Sequence, residues 1–122
     1  MHSDTLNKKF IKELLAGATS LMLLSTLARS QEAMYGYQIA KLLAPDDDQA
    51  PLIKQGALYP VLRQLENKEL LASTVEPSVS GPPRRYYTIT DTGRRTLEEW
   101  IAIWTQFKNM TDKVLEGNNH DS

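Results

Sequence analysis

The sequence predicts a mostly α (α+β) protein, and three observations predict it. Apolar residues recur at three- and four-residue spacing in four separate stretches of the 122-residue chain. Strand-like composition, rich in aromatic and β-branched residues, is confined to residues 70–90. Within that region Pro77, Ser78, Ser80 and Gly81 divide two runs with turn-forming residues. Two short helices, a hairpin and a long closing helix, in that order, outline a winged helix-turn-helix with a long C-terminal dimerisation helix.

Residues 1–5 are polar and expected to be a disordered tail. The first helix is predicted from Leu6 or Asn7 to Arg29. Its apolar residues, among them Phe10, Leu14, Leu21 and Leu24, spread over much of its circumference, so it needs cover on more than one side. In a small domain the second cover is another subunit. The run Leu14–Ala28 is too short and too interrupted by Gly17, Thr19, Ser20, Ser25 and Thr26 for a membrane span, and it lacks a secretory cleavage site. It reads as a core helix. A second helix is predicted over Met34–Leu43, with Ile39, Leu42 and Leu43 inward. Asp46-Asp47-Asp48 follows in a loop. It lacks the ligand spacing and glycine of a calcium loop, and a solvated turn is the simpler reading. Leu52 and Ile53 read either as a very short strand or as core filling.

The stretch Lys54–Lys68 organises the rest. Leu58, Val61, Leu62 and Leu65 share one helix face; Gln55, Tyr59, Arg63 and Gln64 share the other. Two amides, a phenol and a guanidinium, with no carboxylate before Glu66, suit base edges and phosphates. Pro60 places the start of this helix near Gln55–Tyr59, because proline fits only the first turn. An ordinary amphipathic core helix with a solvated face is the competing reading. Downstream, Leu70–Val75 and Pro82–Thr90 are the two predicted strands, with Arg84 and Arg85 at the hairpin tip. Strand alternation sends these two arginines to opposite sides. They serve either as phosphate contacts or as a solubilising edge. Thr90 caps the last helix, with Asp91 in its first turn. That helix runs to about Glu116. Leu97, Trp100, Ile101, Trp104, Phe107 and Leu115 form a coiled-coil-like seam, which calls for a dimer.

Composition narrows the function classes. The chain has no cysteine, which excludes disulfides, thiolate metal sites and cysteine nucleophiles together. The net charge is −1, but unevenly placed. Residues 50–95 hold seven basic and four acidic groups, a balance of +3, and residues 96–122 hold two and five, a balance of −3. A polyanion needs a local basic patch, not a basic whole. The two histidines, His2 and His120, lie near the termini, no hydrolytic triad can be assembled from them, and no phosphate-binding loop is present. An enzyme is not expected, nor a cofactor or metal.

Three motifs then carry a resemblance. Tyr35-Gly36-Tyr37-Gln38-Ile39, Gly56-Ala57-Leu58-Tyr59-Pro60-Val61-Leu62 and Pro83-Arg84-Arg85-Tyr86-Tyr87-Thr88-Ile89-Thr90 with Gly93 resemble, in order and gaps, the motif series of short PadR-type transcriptional regulators. The resemblance spans nearly the whole chain. It implies a winged helix-turn-helix domain over residues 6–93, a dimerisation helix over 91–116, and tails at 1–5 and 117–122. In that family the last helix dimerises with the first helix of the other subunit. Some members stack flat drugs between subunits on a tryptophan eleven residues after the glycine, here Trp104. Trp100 and Trp104 are therefore the candidate effector site, and Leu14, Leu97, Trp100, Ile101, Trp104, Phe107 and Leu115 the candidate dimer interface. The alternative for both tryptophans is interface packing alone.

The expected DNA contacts are Lys54, Gln55, Tyr59, Arg63, Arg84, Arg85 and Tyr37, with Tyr37 also readable as a core ring. One departure from the family pattern stands out. Glu69 occupies the place of a helix-ending glycine, so either Asn67 or Lys68 is expected to take the left-handed turn, asparagine tolerating it better, or the helix continues further. The function expected is a sequence-specific, cytoplasmic repressor that binds double-stranded DNA as a homodimer on a palindromic operator, with a small aromatic effector and no membrane partner. The rival readings are a winged helix used for protein–protein contact and a small-molecule-binding helical dimer without a DNA role.

Overall fold

The computed structural model describes residues 2–45 and 52–119. The loop of Asp46-Asp47-Asp48 and residues 120–122 lie outside the described residues. The elements are α1 (His2–Arg29), β1 (Met34–Tyr35), α2 (Gly36–Leu43), α3 (Gln55–Asn67), β2 (Leu71–Ser78), β3 (Gly81–Ile89) and α4 (Asp91–Asn119).

The core gathers the apolar faces that the spacing predicts. Leu23, Leu24 and Leu27 of α1, Ile39 and Ala40 of α2, and Leu58, Leu62 and Leu65 of α3 form one buried cluster with Leu70, Leu71, Tyr87 and Leu97. Ile53 fills core space next to it and forms no strand. Leu42, expected inward, is 63% exposed, because the eight-residue α2 turns only Ile39 and Ala40 fully into the core.

Both long helices reach further than expected. α1 begins at His2, so residues 2–5 are helical rather than a loose tail; Asp4 in its first turn suits the positive end of the helix dipole. α4 continues through residues 117–119. Helix Ser3–Arg29 is long and apolar enough, by length and composition, to cross a membrane, but its second half carries the core residues just named.

Met34–Tyr35, expected in helix, is instead a strand. It pairs antiparallel with Tyr86–Tyr87, giving a three-stranded sheet in the order β1-β3-β2. The hairpin is longer than predicted and Val79–Ser80 form its tip. Arg84 and Arg85 therefore lie within β3, opposite Glu76 and Val75, and not at the tip. The register is irregular between Glu76 and Ser78, at Pro77, facing Pro82 and Pro83. Three residues that cannot donate to a ladder thus collect where the ladder is already interrupted.

α3 starts at Gln55 and contains Pro60 in its second turn, not its first. The usual bond from residue 60 to the Gly56 carbonyl cannot form there, and packing of Leu58, Leu62 and Leu65 holds the helix together across the gap. The helix ends on Glu69 itself, at φ 64°. Neither Asn67 nor Lys68 takes the left-handed turn. Leu70 N–H donates to the Leu65 carbonyl at 3.0 Å and Glu69 N–H to Glu66 at 2.8 Å, the paired bonds of a Schellman motif, and Leu65 and Leu70 are both buried. These bonds and that apolar contact hold glutamate where glycine would be unstrained.

Thr90 caps α4 as its sequence position predicts. Its hydroxyl accepts from Gly93 N–H at 2.9 Å and lies 2.8 Å from the Glu69 carbonyl; its N–H donates to Leu70 at 3.1 Å. Gly93 closes this junction. A Cβ there would stand 2.1 Å from the Leu70 carbonyl oxygen, so only glycine fits.

Candidate nucleic-acid interface

The polar face of α3 and the inner part of the wing meet across a cleft of about 270 Å³. Tyr35 lines it from β1, Gly36 and Tyr37 from the start of α2, Tyr59 and Arg63 from α3, and Arg84, Arg85 and Tyr87 from β3. No carboxylate lines it among the described residues. Gly36 makes room for the Tyr59 ring, two carbons of which lie 3.0 and 3.3 Å from where a Cβ would stand.

The two wing arginines point to different faces of β3, as strand alternation requires. Arg84 lies over the Tyr35 ring, 4.3 Å from its centroid, and Tyr35 meets Tyr86 edge-on at 5.5 Å. Arg85 reaches across the hairpin and donates to Ser73 Oγ at 2.9 Å. Ser73 in turn donates to the Glu66 carboxylate on α3. That chain ties the Arg85 guanidinium to α3, which also brings Arg63 to the cleft. Burial pushes the Tyr87 phenol up from its ordinary pKa; Glu66 adds to this, and Arg85 and Arg63 oppose it. Tyr87 therefore stays neutral across the physiological range.

The other expected contacts divide. Lys54 is the exposed N-cap of α3 and makes no side-chain capping bond, as a poor cap should. Arg63 is exposed. Tyr37 is exposed rather than a core ring, and Lys41 donates to its hydroxyl at 3.2 Å. Gln55 is different. It is half-buried, and its amide nitrogen donates to the Ala44 carbonyl at 2.7 Å, tying α3 to the end of α2. Sequence reasoning missed the supports of the site: Ser73, Glu66 and the ring of Tyr35. Cross-strand register alone brings Ser73 opposite Tyr87 and so within reach of Arg85, and no local motif marks it.

A second feature lies apart from this cleft. Trp100, Ile103, Trp104 and Phe107 of α4 and Leu14, Gly17, Ala18 and Leu21 of α1 line an open groove of about 690 Å³. The Trp104 and Phe107 rings meet at a tilt of 41°, 6.0 Å between centroids. Of the residues expected at a dimer interface, Leu14, Ile101, Trp104, Phe107 and Leu115 are exposed and Trp100 is half-buried. Leu97 is the exception, at 7% exposure. It belongs to the protomer's own core, because the first two turns of α4 are still packed on it.

This arrangement of helix, wing and C-terminal helix has known counterparts. The model of the transcriptional regulator PadR-like family matches residues 23–99, more than half of the chain. The chain belongs to the PadR-like family. A crystal structure of a PadR family transcriptional regulator from Eggerthella lenta is 38% identical, covers 95% of this chain and 97% of that one, and gives a TM-score of 0.76. A PadR-like transcriptional regulator from Bacillus cereus is 30% identical, covers 84% and 96%, and gives 0.65. An uncharacterised protein of Lysinibacillus sphaericus is 32% identical over 83 residues, 68% of this chain and 76% of that one. The PadR-like chain is a DNA-binding transcriptional regulator and not an enzyme.

Proposed function

We propose that this PadR-like regulator is a sequence-specific, cytoplasmic repressor that acts as a homodimer on a palindromic operator and responds to a small aromatic ligand. The winged helix-turn-helix unit spans residues 6–93 and the dimerisation helix 91–116. One observation carries the reading. The carboxylate-free arginine–tyrosine cleft and the apolar α1–α4 groove are separate surfaces, each left open by the folded protomer.

On this reading Arg85 takes phosphate oxygens in the cleft, Lys54 adds charge at the helix start, and Tyr59 and Tyr37 position on the backbone. Arg84 supports the site through Tyr35. Gln55 serves chiefly to hold α3, which leaves Arg63 as the side chain best suited to a base edge. A second copy, rather than a bilayer, covers the apolar face of α1. Leu23, Leu24 and Leu27 are already used in the protein core, so no lipid-facing span of the needed length remains. Trp104 and its neighbours then lie at the dimer seam.

Selection of bound duplexes from a random pool tests the reading. The expected product is an inverted repeat with half-site centres about 34 Å apart, one turn of duplex, recovered by a species that sediments as a dimer. Recovery of no inverted repeat, or a monomer at the concentrations that bind, would sink it. Absence of any affinity for generic duplex at low salt would favour protein–protein contact instead.

A further inference from the structure

The outward face of α3 is poor in hydrogen-bonding groups at its start. Gly56, Pro60 and Arg63 follow one another at four- and three-residue spacing opposite the buried Leu58, Leu62 and Leu65, with Ala57 beside them. All four are exposed. The two polar side chains between Gln55 and Pro60 are turned elsewhere. Gln55 donates to the Ala44 carbonyl at 2.7 Å, and Tyr59 lies against Gly36 in the cleft. Ahead of Arg63 the face is therefore a glycine Cα, an alanine methyl and a proline ring, and proline has no N–H to offer.

Nothing inside the protomer calls for glycine at position 56. A Cβ there would meet no atom within 4 Å, and its φ is not positive. Gly36 and Gly93 differ, since a side chain would strike the Tyr59 ring in one case and the Leu70 carbonyl in the other. Glycine is a poorer helix former than alanine, so the missing side chain brings the folded protomer no gain. It suits a neighbour outside the protomer that comes close to the helix. The cleft beside this face, with Arg63, Arg84 and Arg85 and no carboxylate among the described residues, makes that neighbour a polyanion. In helix-turn-helix docking, residues at the start of the reading helix meet base edges in the major groove. Thymine alone among the four bases presents an apolar group there, its C5-methyl, and small apolar side chains contact it.

We propose that the start of α3 selects thymine through apolar contact of the C5-methyl with Ala57 and Pro60, and that Gly56 lets the duplex come close enough. This rests on the reading of the chain as an operator-binding protein. Arg63, one turn further on, is left to read by hydrogen bonding. Each half-site then combines a thymine read by its methyl with a base read by a guanidinium.

The tightest duplex recovered from the random pool is the probe, with each thymine in turn replaced by deoxyuridine in both half-sites. Uracil keeps every hydrogen-bonding group of thymine and lacks only the methyl. One buried methyl is worth about fourfold in affinity. One or two thymines per half-site should therefore each show roughly a 15-fold loss when both copies are changed, and the remaining thymines none. Ala57→Gly should shrink that loss. Gly56→Ala should keep the urea midpoint at or above the native value and still weaken duplex binding about tenfold or more, a split that a merely structural glycine would not give. The assignment is overturned, while the duplex still binds, by any of three results: no thymine sensitive to its methyl, a methyl effect unmoved by Ala57→Gly, or native affinity in Gly56→Ala. If no duplex is recovered, the operator reading falls and this inference with it.

Discussion

Helix α1 behaves as two helices on one axis. In its second half Leu23, Leu24 and Leu27 are buried with the head of the molecule; in its first half Leu6, Phe10 and Leu14 face outward. Helix α4 shows the reverse polarity, buried at Gly93 and Leu97, exposed from Ile101 to Met110. The head, built from α2, α3, the sheet and the near ends of the long helices, closes its own core. The stalk, made of their far ends, does not. The comparison teaches where stability resides. The head has it within one chain; on the proposed dimer the stalk would obtain it from association, so one should respond to core mutation and the other to protein concentration.

The largest effect is expected where head and stalk are joined. Gly93→Ala forces a Cβ against the Leu70 carbonyl and should destabilise the head by about 3 kcal/mol or more, read as a lower urea midpoint at fixed concentration. A change under about 1 kcal/mol would mean that the junction yields more easily than its contacts imply. Next comes the stalk. Phe107→Asp places a charge in the apolar face and should weaken self-association by roughly 30-fold or more, the scale of a central interface residue. Helical content of the head should persist in dilute solution. Loss of the head's cooperative melt in that variant would break the comparison.

Smaller effects sharpen it. Arg85→Ala removes the guanidinium to which the proposed function gives one phosphate contact. Duplex affinity should fall about tenfold and the salt slope by about 1, across all sequences alike, while sedimentation stays unchanged. Ser73→Ala should give part of the same loss, since it only frees the guanidinium. The smallest expected change has the opposite sign. Glu69→Gly relieves a left-handed glutamate and should stabilise the head by about 1 kcal/mol, visible in the same urea titration.

Much of the head was legible because its signals are local. The buried face of α3 follows from Leu58, Leu62 and Leu65, and Thr90 with Asp91 announces the start of α4. The opposite outlook of Arg84 and Arg85 follows from pleat alone. What was not legible depends on distant partners. Two residues, Met34 and Tyr35, are too few to show a period, and only β3 makes them a strand. The hairpin tip was misplaced because prolines at a bulge look like turn residues. Glu69 breaks the rule for its position, and the bonds that hold it there come from α3 and Thr90 together. Leu97 repeats at the same spacing as the seam residues, and sequence has no means of showing where along a continuous helix the protomer's own core stops.

The clamp of Thr90 and Gly93 on the turn formed by Glu69 and Leu70 has a mechanical result. It makes the base of α4 a pivot with a long arm: 29 residues at about 1.5 Å each give a lever of about 43 Å. Tilting that arm by about 5° carries its far end through about 4 Å, several times the displacement at the fulcrum. In the proposed dimer, the same gearing run backwards would let a modest sliding between paired stalks swing two heads apart or together along a duplex.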